Sequence, residues 1–175
     1  MTGVVVTGGP GSGKTSLIEA LANLGYDVEP EAGRAIIRQQ QSVDGPALPW
    51  RDRALFAQRM LEHDIEAHDR SRANGLVFHD RGLPDVIGYL TLCGLPVPDH
   101  MSDAARMLRY HPTVFIAPPW PEIFGQDAER RQDFDEAKRT YEAMAAVYPH
   151  YGYRLVEMPK ATIAERVAFV LDQVV

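Results

Sequence analysis

The sequence predicts an α/β domain: a doubly wound parallel sheet of about five strands flanked by helices. Three observations predict it. Short apolar runs rich in β-branched residues recur along the chain with helical patterns between them, the signature of βαβ units. The first run, "VVVT", opens directly into the glycine-rich stretch "GGPGSGKT" and then into a helical stripe. The composition of the 175 residues, 45% apolar and 24% charged, is that of one ordinary domain able to bury a real core, so residues 1–175 are read as a single unit.

The elements follow in order. Val4 to Thr7 is a continuous apolar run, as a strand covered on both faces requires. Leu17, Ile18, Leu21 and Leu24 share one helical face, and Gly25 stops that helix. A second strand is read from Tyr26 to Pro30, and "QSVDGPALPW" is a loop between helices. Ala54, Ala57, Leu61, Ile65 and His68 form the stripe of a long helix. The third strand runs from Leu76 to Asp80 with a helix starting near Pro84, and Met101, Ala105 and Leu108 mark a shorter helix. The fourth strand spans Thr113 to Ala117 and leads into "APPWPEIFGQDAERRQ", Pro-rich and then charged, a long irregular segment of the kind that usually carries function. Phe134, Ala137, Tyr141, Met144 and Tyr148 repeat at helical spacing behind a capping box, Asp133 with Glu136. A fifth strand from Tyr153 to Met158 and a last helix on Ile163, Val167, Val170 and Val174 complete the pattern.

"GGPGSGKT" satisfies G-x-x-x-x-G-K-[ST] in full, with Gly8 and Gly13 fixed, Lys14 the cation and Thr15 the hydroxyl. Glycines let the backbone curl so that successive N–H groups face an anion, and the positive end of the following helix adds to the attraction. Gly8, Gly9, Pro10, Gly11, Ser12, Gly13, Lys14, Thr15 and Ser16 are therefore read as a phosphate-binding loop. Lys14 reaches the β and γ phosphates in this reading, and Thr15 ligates magnesium. An ordinary Gly/Pro turn leaves the Lys-Thr pair without explanation.

Composition excludes several classes. A formal charge of −6 argues against nucleic acid as a primary partner. The single cysteine, Cys93, forms no intramolecular disulfide and no thiolate cluster, which suits a reducing cytoplasm and a bland core role. The first strand begins at once, with no room for a signal peptide, and no apolar run reaches the length of a membrane span. His63 and His68 stand five residues apart, poor spacing for two zinc ligands on one helical face.

Ligands of open parallel sheets bind beyond the carboxyl ends of the strands, so those ends are candidate sites. In "VFHDRGLPD", Asp80 ends the third strand, where it can hold magnesium beside Thr15, with Arg81 next to it; the plainer alternative is a helix cap salt-bridged to Arg81. Asp85 serves either the same site or the cap. In "DVEPEAGRAII", strand alternation places Glu29 and Glu31 on one side, one structural and the other a general base for a substrate hydroxyl, with Glu31 the choice. Glu29 and Arg34 on this stretch are read as substrate contacts; a solvated helix start rich in acids is the alternative. Arg130 and Arg131 stand on an arm, about 119–139, that could fold over a transferring phosphoryl group, or form a solvated charged face.

The combination of "GGPGSGKT", "EPEAGR", "FHDRG" and a late arginine-bearing segment, spread over nearly the whole chain, resembles the P-loop small-molecule kinases. It looks most like the ribosylnicotinamide-kinase-like group often labelled AAA-domain ATPases, and it is similar to deoxyribonucleoside kinases. In the latter, a Glu-Pro at the second strand's end supplies the base and Glu-Arg-Ser follows the third strand; here Glu29-Pro30 and Asp80-Arg81-Gly82 stand in those places. The resemblance implies a P-loop NTPase fold with sheet order 2-3-1-4-5 and an arginine-bearing lid. It also implies that "WRDRALFAQRM" lines an acceptor pocket through Trp50, Phe56, Gln58 and Arg59, with core packing for Phe56 and surface exposure for Gln58 and Arg59 as the alternative, and that "PKAT" lies near the adenine. The implied activity moves the γ-phosphoryl of Mg2+-bound ATP to a hydroxyl of a small nucleoside-like or vitamin-like metabolite, with Lys14, Glu31, Asp80, Arg81, Arg130 and Arg131 at the chemistry. A regulatory ATPase without an acceptor is the alternative. A GTPase is disfavoured by the lack of an N-K-x-D stretch, and a ring-forming motor by Arg81 following Asp80 where a water-activating Glu belongs.

Overall fold

The computed structural model describes residues 3–72, 75–125 and 133–175. In chain order the elements are β1 (Gly3–Gly8), α1 (Lys14–Asn23), β2 (Asp27–Glu29), α2 (Ala32–Ser42), α3 (Arg53–Ser71), β3 (Val77–Asp80), α4 (Leu83–Leu92), α5 (Asp99–Met107), β4 (Thr113–Ala117), a single 3₁₀ turn (Pro121–Ile123), α6 (Phe134–His150), β5 (Arg154–Glu157) and α7 (Ile163–Leu171). The five strands form one sheet in the order β2-β3-β1-β4-β5, and every pair is parallel. Order and elements match the reading of the sequence. Among the described residues, no helix is long and apolar enough to cross a membrane.

Strand alternation divides the core into two layers. Val5, Val114 and Ile116 face α3 to α6 and pack with Leu83, Val86, Leu90, Met144 and Tyr148. Val4, Val6, Phe78 and Phe115 face the other way, against Leu17, Leu21, Val167 and Val170 of α1 and α7. Both faces being covered is why β1 and β4 read as unbroken apolar runs.

Local signals hold in detail at several places. The Asp133 carboxylate accepts the Glu136 N–H at 2.8 Å, capping α6. Thr162 and Glu165 form a reciprocal capping box on α7. β2 is shorter than its apolar run: it stops at Glu29, and Glu31 stands at the N-cap of α2. Pro30 between them has no N–H to offer a ladder.

The register β1↔β3 places Val6 opposite Asp80, and β1↔β4 places Gly8 opposite Ala117. The phosphate-loop sequence, β2's end and Asp80 thus meet at the carboxyl end of the strands. A Cβ on Gly8 would lie 2.5 Å from Ala117 O, so only glycine fits where the loop leaves β1.

Candidate active site

The glycine-rich loop carries its side chains folded onto itself. The Lys14 ammonium donates to Gly9 O at 2.7 Å and reaches Ser12 Oγ at 3.5 Å, while Ser12 Oγ donates to Gly9 O at 2.7 Å. Gly13, at φ +84°, is the N-cap of α1, a left-handed position that favours glycine. Burial foremost, then the Arg81 charge, lowers the Lys14 pKa to about 8 against the pull of Asp80, Glu31 and Asp85. Bound phosphate would reverse that balance.

Thr15 and Asp80 face each other across the loop, with Thr15 Oγ1 donating to Asp80 Oδ2 at 3.4 Å. Asp80 Oδ1 is buried without a hydrogen-bond partner. Burial raises the Asp80 pKa above the ordinary carboxylate value, although Lys14 opposes it. A long contact, an orphaned carboxylate oxygen and an adjacent hydroxyl make a hard-oxygen pair that fits magnesium, which takes one or two protein ligands plus waters and phosphate oxygens. Asp80 does not cap α4, so the plainer reading of it fails. Gly82 occupies the N-cap, and its N–H donates to Asp85 Oδ2 at 3.0 Å.

Asp85 is the saturated member of the site. Its Oδ1 accepts from Thr7 Oγ1 at 2.6 Å and from Arg81 Nη1 at 3.0 Å. Its Oδ2 accepts from Tyr148 Oη at 2.5 Å as well as from Gly82. Of the two roles open to Asp85 in the sequence, the structure gives it the cap and leaves it no free lone pair for metal.

Arg81 adopts φ +79°, a strained region for a residue with a side chain, and its N–H donates to Val6 O at 2.9 Å. Its guanidinium spans Asp85 on one side and Glu31 Oε1, at 3.2 Å, on the other. Burial works against the Arg81 cation, but Glu31, Asp85 and Asp80 outweigh it and hold it protonated. Burial likewise works to raise the Glu31 pKa, and Arg81, Lys14 and Arg34 together bring it below its ordinary value. Glu31 is thus a carboxylate at neutral pH, an acceptor for a hydroxyl proton and separate from the Thr15–Asp80 pair.

The expectation that Glu29 and Glu31 share a side is corrected. Since β2 ends at Glu29, alternation does not reach Glu31; Glu29 turns to α3 and accepts from Arg70 Nε at 3.1 Å and Nη2 at 2.8 Å, whereas Glu31 pairs with Arg81. Arg34 lies 3.8 Å from Glu31. The four acceptor-pocket candidates separate in the same way. Phe56 is buried in a core cluster with Ala32 and Ile36, beside Gly33, where a Cβ would lie 3.6 Å from both Glu31 Oε1 and Phe56 Cζ and 3.7 Å from Met60 Sδ. Gln58 instead donates to Glu62 at 3.1 Å and meets His100, and Arg59 pairs with Glu62 at 2.8 Å. Arg59 lines a hollow of about 390 Å³ between α2 and α3 with Ile36, Gln39 and His63. Trp50, half exposed, borders a separate depression of about 380 Å³ with Arg51, Arg53 and Leu95. Arg130 and Arg131 lie outside the described residues; the rings of Phe124 and Phe134, on either side of that segment, meet edge-to-face at 5.4 Å.

Four residues near this site were not read as such from the sequence. Thr7 and Tyr148 passed for a strand and a helix-stripe residue, and nothing local marks them as partners of Asp85. Asp64 stands one helical turn beyond Met60 on α3, and burial lifts its pKa to about 6 although His63 opposes it. Arg166 stands among the apolar stripe of α7, fully buried, with its Nη1 on the phosphate loop. A charged residue on an apolar face was the available signal for both.

A family model described as "AAA domain" matches residues 3–166. No curated protein matches the chain in sequence. Among solved structures, the fold is similar to deoxyadenosine kinase from M. mycoides with dCMP and dCDP bound, at TM-score 0.70 and 11% identity over 98% of this chain and 97% of that one. It is similar to NadR in complex with NR, at TM-score 0.70 and 19% identity over 99% of this chain, which spans 50% of NadR. It is also similar to thymidylate kinase from Ehrlichia chaffeensis, at TM-score 0.67 and 14% identity over 99% of this chain and 98% of that one. The chain belongs to the AAA-domain family and has the fold of the P-loop nucleoside and nucleotide kinases.

Proposed function

We propose that this protein is a phosphotransferase that moves the γ-phosphoryl of Mg-ATP to a hydroxyl of a small, nucleoside-like or vitamin-like metabolite, acting as one domain. The observation that carries the reading is that the two candidate acids have different partners. Asp80 lies with Thr15 by the phosphate loop, and Glu31 is held by Arg81 with Phe56 and Met60 near by, so separate acids are available for metal and acceptor. The kinase fold, and the NR and deoxynucleotides named with two of the similar structures, support the same class of acceptor.

In this mechanism the loop N–H groups and Lys14 hold the β and γ phosphates, and Lys14 keeps its proton once phosphate faces it. Thr15 and Asp80 would hold magnesium, which neutralises charge developing on the phosphoryl oxygens. Glu31 accepts the hydrogen bond of the acceptor hydroxyl and aims its oxygen at the γ phosphorus. Arg81 holds Glu31 in place and ionised. Its low pKa makes Glu31 a weak base, which suffices because phosphoryl transfer asks chiefly for positioning and charge. The test is ATP turnover with and without a panel of nucleosides, sugars and vitamins, with products identified by mass spectrometry. A phosphorylated acceptor supports the kinase; acceptor-independent release of phosphate as the sole product supports the regulatory ATPase.

A further inference from the structure

Arg166 is fully buried, at 0% exposure, yet no carboxylate among the described residues pairs with it. Its Nε donates to Pro159 O at 2.8 Å and its Nη1 to Ser12 O at 2.8 Å. The guanidinium carbon lies 4.9 Å from the centre of the Trp120 ring. Its Nη2 is buried with no hydrogen-bond partner. Two carbonyl dipoles and a ring face do not neutralise a full charge, and taking an ion out of water without a counter-charge is strongly disfavoured. Burial accordingly lowers its pKa, with no acid acting to raise it.

The contacts of Arg166 explain why such a residue is tolerated. It joins the phosphate loop at Ser12, the β5–α7 connection at Pro159 and Trp120 beyond β4. At Ser12 it grips the peptide that precedes the left-handed Gly13, and a Cβ there would stand 3.0 Å from Nη1. In a trans peptide the C=O and the next N–H point in opposite directions. Drawing the Ser12 carbonyl onto Arg166 therefore turns the Gly13 N–H away from α7, fixing a donor of the loop.

We propose that Arg166 is a positioning residue for polyphosphate, a cation stored behind the loop whose counter-charge arrives with the ligand. The proposal rests on the reading that a nucleotide triphosphate occupies the loop. It predicts that the contribution reaches the phosphates through the Ser12 carbonyl; a contribution reaching the base through Pro159 O, in the stretch expected near the adenine, would instead show as a loss confined to ATP.

The experiment measures binding of Mg-ATP and of base-free Mg-tripolyphosphate to the full chain by calorimetry, for wild type, R166M and R166K, with folding followed by circular dichroism and thermal melting. R166M should weaken both ligands by the same factor, about tenfold or more, as loss of a nearby unit charge in a partly dry site implies. R166K, which keeps the charge, should recover part of the loss for both ligands. R166Q is judged by the same criteria if R166M does not fold. The proposal is overturned if a folded neutral variant binds both ligands like wild type, if ATP weakens and tripolyphosphate does not, or if R166K and the neutral variant lose equally. It is also overturned, in favour of a purely structural arginine, if neither neutral variant folds while R166K does. Each of these outcomes leaves the kinase reading standing, whereas a wild type that binds neither ligand removes both.

Discussion

Asp80 and Asp85 stand five residues apart at the mouth of the sheet and are buried alike, at 5% and 4% exposure, yet they have opposite situations. Asp85 accepts four hydrogen bonds, from Thr7, Arg81, Gly82 and Tyr148, and ties β1, α4 and α6 together. Asp80 has one long contact with Thr15 and an oxygen with no partner. A buried carboxylate whose lone pairs are used holds the fold, and one whose lone pairs are left over is available for chemistry. Residue type alone does not separate the two.

Replacing each in turn is the strongest way to break this contrast. Asp85→Ala leaves Arg81 with one partner fewer and two hydroxyls unsatisfied, and should cost about 3–5 kcal/mol of folding stability in a denaturant titration. Asp80→Asn should cost none and can stabilise. Its folded pKa is raised, so the contribution of Asp80 is present in full below its unfolded value of 3.8 and is lost as pH climbs through the folded one. At neutral pH the carboxylate is therefore a burden that the amide removes, while metal-dependent turnover should fall by orders of magnitude. Equal destabilisation of the two variants would end the distinction.

The pH profile sharpens it on the loop side. Lys14 in the free protein titrates at about 8, so the form that binds phosphate predominates below that value. The kcat/KM for ATP should fall about tenfold per unit above pH 8, since that parameter reports free-enzyme ionisations. A flat profile to pH 10 would show Lys14 protonated throughout. The smallest change tests the saturated side: Tyr148→Phe removes one of the four hydrogen bonds to Asp85 and should lower stability by about 1–2 kcal/mol, with kcat for ATP little changed.

The five strands and the glycine-rich loop were legible in the sequence, because each depends on a short stretch whose pattern or backbone needs dictate residue type, while the strand order came with the family resemblance. Gly8 is demanded by the neighbouring Ala117 carbonyl, and Gly13 by a positive φ. Asp85 could not be read, since its partners Thr7 and Tyr148 lie 78 and 63 residues away. Glu29 was misjudged because alternation was extended through Pro30, where the strand has already ended. Gln58 and Arg59 depend on which side of α3 faces inward: Arg59 lines the hollow beside α2 with Glu62, and Gln58 bonds Glu62 and His100.

The central claim, that Glu31 serves an acceptor while Asp80 serves the metal, is tested most directly by Glu31→Gln. The variant keeps the shape and loses the charge, and the measurement is phosphoryl transfer to an acceptor beside acceptor-free ATP hydrolysis in the same preparation. The account predicts that transfer falls by roughly two to four orders of magnitude, while Mg-ATP affinity and background hydrolysis persist. Loss of acceptor-free hydrolysis with Mg-ATP still bound would contradict it, because Glu31 would then be activating water.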